Sequence, residues 1–183
     1  MRIVGGLAKG RRLAGPPRGT RPTSDRAREA LFNSLAGLVD LEGGRLLDLY
    51  AGTGAVGLEA LSRGTAEAVF VESGRAALAV LRRNIQTVGL PGARVVDRPA
   101  AGYLAGPPDG TFDVVFADPP YAIGEDALGA LLTAVTQRDW LAADAVVVVE
   151  RSARAGAPRW PAGIVELRRR RYGDGVLWYG RRR

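Results

Sequence analysis

The chain has no cysteine and no histidine, and only one lysine and one methionine in 183 residues. Without cysteine there is no disulfide framework and no thiol nucleophile; without either residue the usual zinc ligand sets and the imidazole base are missing too. Any chemistry must then use carboxylates, main chain and a bound cofactor, and no metal is expected. No apolar run approaches the roughly eighteen residues of a membrane span, and the basic start Met1-Arg2 leads into glycine-rich sequence without a signal-peptide apolar stretch. A soluble, cytoplasmic protein without membrane contact is expected. With 46% hydrophobic residues the chain is long enough for one domain with a full core and short for two. There are no internal repeats and no low-complexity linker.

Charge is plentiful but unevenly placed. Residues 1–39 carry eight bases and two acids, residues 40–150 eight bases and fifteen acids, and residues 151–183 ten bases and two acids. An acidic middle between basic ends suggests a polyanionic partner held by the termini, because clustered arginines neutralise phosphates and release counterions. A GC-rich coding bias would explain 25 arginines against one lysine. It would not explain their segregation, so a nucleic-acid face is favoured over a merely solvated one.

Residues 1–22 read as a small glycine-punctuated basic hairpin, too polar for a core element, from which Arg2, Lys9, Arg11, Arg12, Arg18 and Arg21 project as a nucleic-acid-binding arm. A single domain over 23–183 follows. Thr23 or Ser24 can cap a helix from about Asp25 to Leu35, with Ala27, Leu31, Leu35 and Leu38 on one buried face. Strands are expected at 45–50, 66–71, 93–96, 112–117 and 145–150. Helices are expected at 58–63, 75–88 and 125–136, and a closing hairpin at 164–172 and 176–179, turned by Gly173-Asp174-Gly175. Alternating strands and helices predict a mostly parallel sheet of seven strands with helices on both faces.

Two stretches carry the chemistry. The first strand runs into Gly52-Thr53-Gly54-Ala55-Val56-Gly57, a strand, glycine loop and helix of Rossmann-like type in which Gly52 and Gly54 let the backbone approach a ligand. Glu72, at the end of the second strand, can take both hydroxyls of a ribose. The glycines alone do not separate a dinucleotide from S-adenosylmethionine. Asp48 helps: a carboxylate four residues before the first glycine would repel a pyrophosphate but suits the cationic amino-acid end of a ligand. The second stretch is Asp118-Pro119-Pro120-Tyr121, where two prolines stop a buried strand and stiffen the loop. The Asp118 carboxylate and a fixed carbonyl can accept from an amino group, and Tyr121 offers a face for stacking. Asp-Pro is also ordinary turn chemistry. In sheets of this kind ligands sit where the strand order reverses, and the first and fourth strands flanking that crevice would bring both stretches together.

The glycine loop with Asp48 and Glu72 resembles the cofactor site of class I S-adenosylmethionine-dependent methyltransferases, and Asp-Pro-Pro-Tyr resembles the amino-methyltransferases. Beyond these motifs, MRIVGG at the start, RPTSDRAREALFNSL at 21–35, DLYAGTGAVGLEALSRG at 48–64 and FADPPY at 116–121 resemble the RsmD family of 16S ribosomal RNA guanine-N2 methyltransferases, over essentially the whole chain and in the same order; the Arg-rich composition suggests an actinobacterial member. The resemblance implies a Rossmann-like fold with a small N-terminal β-hairpin extension and S-adenosylmethionine as cofactor. It further implies 16S rRNA in an assembling small subunit as partner, and a monomer. It implies that Asp118 and the Pro119 carbonyl hold the guanine amino group while Tyr121 stacks on the base, and that Asp48, Ala51, Gly52, Gly54, Glu72, Asp97, Ala100 and Thr23 surround the cofactor. One position departs from the family pattern: Pro99 stands where an Asp or Asn would contact the adenine, leaving Asp97 or a main-chain group for that contact. The rival functions are a DNA adenine-N6 or cytosine-N4 amino-methyltransferase, for which the chain leaves no room for a target-recognition domain, a dinucleotide-dependent reductase, and a non-catalytic RNA-binding assembly factor.

Overall fold

In the computed structural model, which describes residues 1–16 and 24–183, seven strands form one sheet. The elements in chain order are α1 (Asp25–Ala36), β1 (Arg45–Leu49), α2 (Ala55–Ser62), β2 (Glu67–Glu72), α3 (Arg75–Val88), β3 (Ala93–Asp97), α4 (Ala100–Leu104), β4 (Phe112–Ala117), α5 (Glu125–Gln137), β5 (Leu141–Ser152), β6 (Ile164–Tyr172) and β7 (Gly175–Arg182). The strand order is β3-β2-β1-β4-β5-β7-β6. The first five strands run parallel, β7 pairs antiparallel with β5, and β6 with β7. The order reverses between β1 and β4, so the crevice expected from the sequence exists at their carboxyl ends.

The sheet is covered on both faces, which is why its central strands read as unbroken apolar runs. On one face Leu31, Phe32 and Leu35 of α1 and Val56 and Ala60 of α2 pack on Leu46, Val114, Phe116, Val146 and Val148. On the same face, Leu78, Leu81 and Val88 of α3 and Leu58 and Leu61 of α2 meet Ala68 and Phe70. The other face carries Leu104 of α4 and Leu128, Leu131, Leu132 and Val135 of α5 on Leu47, Val69, Val115 and Val147. Ser24 caps α1, its hydroxyl accepting from the Ala27 amide at 3.1 Å. Three elements differ from the sequence reading. Helix α2 starts three residues earlier because Gly54 turns the chain into it, α4 forms where no element was expected, and β5 begins at Leu141, which already pairs with Phe112 ahead of a register shift.

The larger correction concerns the N-terminus. It is hairpin-like, with one antiparallel bridge between Arg2 and Arg12, but it is not too polar to join a core. Ile3, Ala8 and Leu13 are buried against Leu58, Leu61 and Phe70. Polar side chains on α2 and α3 fix it from below. Glu59 accepts from the amides of Val4 at 2.8 Å and Gly5 at 2.7 Å, and pairs with Arg28 and Arg63. The Ser62 hydroxyl bridges the Gly5 carbonyl and the Ala8 amide. The Asn84 amide group holds Ala14 to the Thr53 carbonyl. Glu59 and Arg28 are both fully buried, so each is the other's compensation for leaving water. Arg11 is exposed but tethered: its guanidinium donates to the Val88 carbonyl at the C-terminus of α3, where a cation satisfies an orphan acceptor.

Candidate active site

A cavity of about 860 Å³ opens over the carboxyl ends of β1 and β4. The β1–α2 loop forms its floor and residues 72–77 one wall. Asp118–Tyr121, Glu150 and Tyr172 form the opposite wall, and Met1, Pro16 and Ser24 close its edge. The crevice thus brings Asp48, Ala51, Gly52, Glu72, Asp118, Pro119 and Tyr121 into one space.

Its floor is built by strain and by amides. Tyr50 is held at φ 62° and Gly52 at φ 56°, so the chain leaves β1 in two left-handed steps, of which the first is costly for a side-chain-bearing residue. Glu72 is what fixes that turn. Its carboxylate accepts from the Gly52 amide at 2.8 Å on one oxygen and from the Ser73 and Gly74 amides at 2.8 and 2.7 Å on the other. The charge is held in place by three donors and still faces the cavity. Asp48 lies deeper, 1% exposed, accepting from the Gly57 amide at 3.1 Å. Burial pushes its carboxyl up to about 7, with the Gly57 bond opposing and the nearby Glu72 adding to the rise. A buried carboxyl poised at neutrality in a cavity of like charge calls for a cationic ligand. The two carboxylate acceptors accordingly fit the ammonium and ribose hydroxyl donors of S-adenosylmethionine.

The three glycines of the loop have three different roles. Gly52 leaves open space facing the cavity, with nothing nearer its missing side chain than the Tyr50 carbonyl at 3.9 Å. Gly54, at φ +78°, faces inward, where a Cβ would stand 2.3 Å from Leu81 Cδ1; its missing side chain admits packing and the start of α2. Gly57 lets α2 lie on β2, since a Cβ there would meet the Phe70 ring at 2.3 Å. Gly57→Ala is expected to lower stability by about 1–3 kcal/mol through overpacking, read as a fall in the denaturant midpoint with an unchanged slope.

Asp118 leaves the sheet from Ala117, which is paired with Leu49 on one side and Val149 on the other. It remains partly open to the cavity but is otherwise enclosed by protein. Burial, then the Glu150 and Asp48 charges, raise its carboxyl well above the usual carboxylate range. Pro119 is buried, while Tyr121 stands 70% exposed at the rim. A large aromatic side chain left in water beside a fixed carboxylate offers a stacking surface for a planar ligand.

Other expected residues lie elsewhere. Asp97 ends β3 on the exposed surface and pairs with Arg82 at 3.4 Å. Ala100 is buried under the sheet, and Pro99 is the N-cap of α4. None of these three lines the cavity. Thr23, Arg18 and Arg21 lie outside the described residues. Arg2, Lys9 and Arg12 are exposed, Arg2 4.0 Å from Asp25. Sequence reasoning missed Met1, Pro16, Tyr50, Glu150 and Tyr172 as cavity residues. Only Glu150 carried a signal, being a carboxylate ending the run of four valines in the strand next to Asp118.

Residues 1–181 match the family model described as "Conserved hypothetical protein 95". The chain is 42% identical over 166 residues to "Ribosomal RNA small subunit methyltransferase D" of Escherichia coli strain K12, covering 88% of this chain and 80% of that one. The solved structure of a candidate methyltransferase from Escherichia coli, 39% identical, covers 100% of this chain and 97% of that chain at a TM-score of 0.86. A second solved structure, of a candidate methyltransferase in complex with SAH, is only 12% identical. It covers 85% of this chain and 48% of that one at a TM-score of 0.68, and so shares the fold. The architecture is the Rossmann-like one of class I methyltransferases, closed by an antiparallel hairpin.

Proposed function

The chain belongs to the RsmD family of ribosomal RNA small-subunit methyltransferases, and on that premise we propose that it methylates the exocyclic N2 amino group of a guanine in 16S rRNA. The observation that carries the reading is the meeting of Asp118–Tyr121 with Asp48, Gly52 and Glu72 in one cavity. When bound, S-adenosylmethionine supplies a methyl group already activated on a sulfonium. What remains for the protein is alignment, charge and exclusion of water.

Asp48 and Glu72 hold the cationic and hydroxyl ends of the cofactor, Asp48 in its ionised form. Asp118 and the Pro119 carbonyl accept the two amino hydrogens, which turns the nitrogen lone pair away from them and towards the methyl donor. Their negative character also stabilises the positive charge that grows on that nitrogen, and a preorganised acceptor does this without rearranging. Tyr121 stacks on the extruded base, worth roughly 1–3 kcal/mol. The described part of the basic N-terminal segment, residues 1–16, borders the cavity, and the segment serves as the RNA-facing part of a single methyltransferase domain. Met1 and Pro16 form part of the cavity edge, so RNA held there would be held next to the reacting site.

The decisive assay offers tritiated S-adenosylmethionine with assembled small subunits, naked 16S RNA and DNA. Label is expected on guanine N2 of the RNA, in the subunit more than in naked RNA; label in DNA alone would sink the reading. Replacing Lys9 and Arg12 with glutamine is expected to weaken RNA binding and to reduce the slope of log K against log salt by about 0.7–0.9 for each phosphate no longer neutralised. An unchanged slope would make them ordinary surface charge. Because Arg11 is tied to Val88, its replacement is expected to act on stability more than on the slope.

A further inference from the structure

Glu150 ends the same parallel strand pair as Asp118. Ala117 is in register with Val149, the last pair between β4 and β5, so Asp118 leaves β4 beside Glu150, which continues in β5 opposite Leu177 of β7. Along β5 the faces alternate. Arg151 turns to Glu125 of α5 and to the carbonyls of Gly156 and Ala157, on the opposite side from the cavity, while Glu150 is half-buried and lines it. Room for the carboxylate is made across the β5–β7 pair, where a Cβ on Gly175 would stand 3.1 Å from Glu150 Oε1. The two acids sense each other, since the Glu150 charge is the second cause, after burial, of the raised Asp118 carboxyl.

We propose that Glu150 is a specificity-determining residue which accepts the N1–H of the target guanine while Asp118 accepts from its N2 amino group. This rests on the guanine-N2 reading above. The chemistry of base edges carries it. Guanine alone presents two adjacent donors, N1–H and N2–H, on its Watson–Crick edge. Adenine sets its N6 amino group beside the acceptor N1, and cytosine its N4 amino group beside the acceptor N3. One carboxylate beside a stacking ring receives any of the three amino groups. A second carboxylate beside the first completes the guanine edge and opposes the other two, because a ring nitrogen lone pair facing an anion has no proton to share.

The test uses small subunits reconstituted with 2-aminopurine in place of the target guanine, at the position that mass-spectrometric mapping identifies. 2-Aminopurine keeps the N2 amino group but has an acceptor at N1. The intact protein is expected to prefer guanine by at least tenfold in kcat/KM, and in competitive binding with S-adenosylhomocysteine in place of the methyl donor. Glu150→Gln can donate as well as accept, so it is expected to shrink that preference at least tenfold while calorimetric affinity for S-adenosylmethionine stays within about twofold. Equal use of guanine and 2-aminopurine by the unaltered protein would overturn the proposal without any variant. So would an unchanged preference in a Glu150→Gln protein that still binds cofactor. Either result with label on guanine N2 refutes Glu150 alone, whereas label on adenine or cytosine refutes the guanine reading on which it rests.

Discussion

Asp118→Ala is expected to lower turnover on small subunits by a factor on the order of 10²–10³, as loss of one preorganised polar group does elsewhere, while the cofactor dissociation constant changes less than about threefold. The split follows from where the group stands. Asp118 is beyond β4, across the crevice from the Glu72 amide cradle that fixes the other half of the site. It touches the proposed amino nucleophile and not the donor. Unaltered single-turnover rates would remove Asp118 from the reaction; an equal loss in cofactor affinity would make it a cofactor residue. Its raised carboxyl also sets a direction with pH. The protonated acid has one acceptor fewer and no charge, so single-turnover rates are expected to rise with pH as Asp118 ionises, and the Asp118→Ala protein is expected to lose that part of the rise.

The second large effect belongs to Asp48. Asp48→Asn is expected to weaken S-adenosylmethionine binding by roughly 10- to 150-fold, the equivalent of about 1.5–3 kcal/mol for a hydrogen bond to a charged group, and to stabilise the empty protein at pH 8. The sign of the stability effect follows from the two states. Unfolded, this carboxyl ionises near the ordinary value of about 3.9; folded, it holds its proton up to about 7. Between those pH values the folded chain binds a proton that the unfolded chain has lost. Its contribution therefore falls as pH rises through that window, by at most about 1.4 kcal/mol per pH unit. Asparagine keeps an acceptor for the Gly57 amide and removes the titration. Thermal melts of the empty protein at pH 5 and pH 8 are expected to diverge less for the variant than for the parent. Because a cationic ligand needs the ionised form, cofactor affinity of the parent is expected to fall by up to tenfold per pH unit below about 7. A flat dissociation constant across that range would show that Asp48 does not face the cation.

How the site could be read from the chain depends on range. Asp118 and Tyr121 were legible because two prolines after a buried strand force an exposed, stiff loop whatever surrounds it. Gly52 and Glu72 were legible because a strand, a glycine turn and a helix, then a second strand ending twenty residues on, form one local unit. Gly54 fits the same pattern and serves a different purpose. Its spacing cannot say whether the space it leaves is filled by a ligand or by Leu81, and here it is Leu81. Asp97 and Ala100 were expected at the cofactor because the family resemblance puts the residues after the third strand there. The register does place Asp97 beside Glu72, yet the side chain turns outward to Arg82 and the helix that follows takes Ala100 under the sheet.

By itself the sequence determined the element order, the parallel sheet, the two chemical motifs and the charge at the ends, because each rests on neighbours along the chain: apolar runs, turn residues, spacing. The tertiary structure decided what distant residues do to one another. It turned a polar N-terminal segment into a docked layer, since Glu59, Ser62 and Asn84 supply acceptors and donors that the segment lacks for itself and the pocket over Phe70 receives Ile3 and Leu13. It raised Asp48 to about 7, an effect of burial that no spacing contains. It set Glu150 beside Asp118, because strands far apart in the chain become neighbours only when the sheet is assembled.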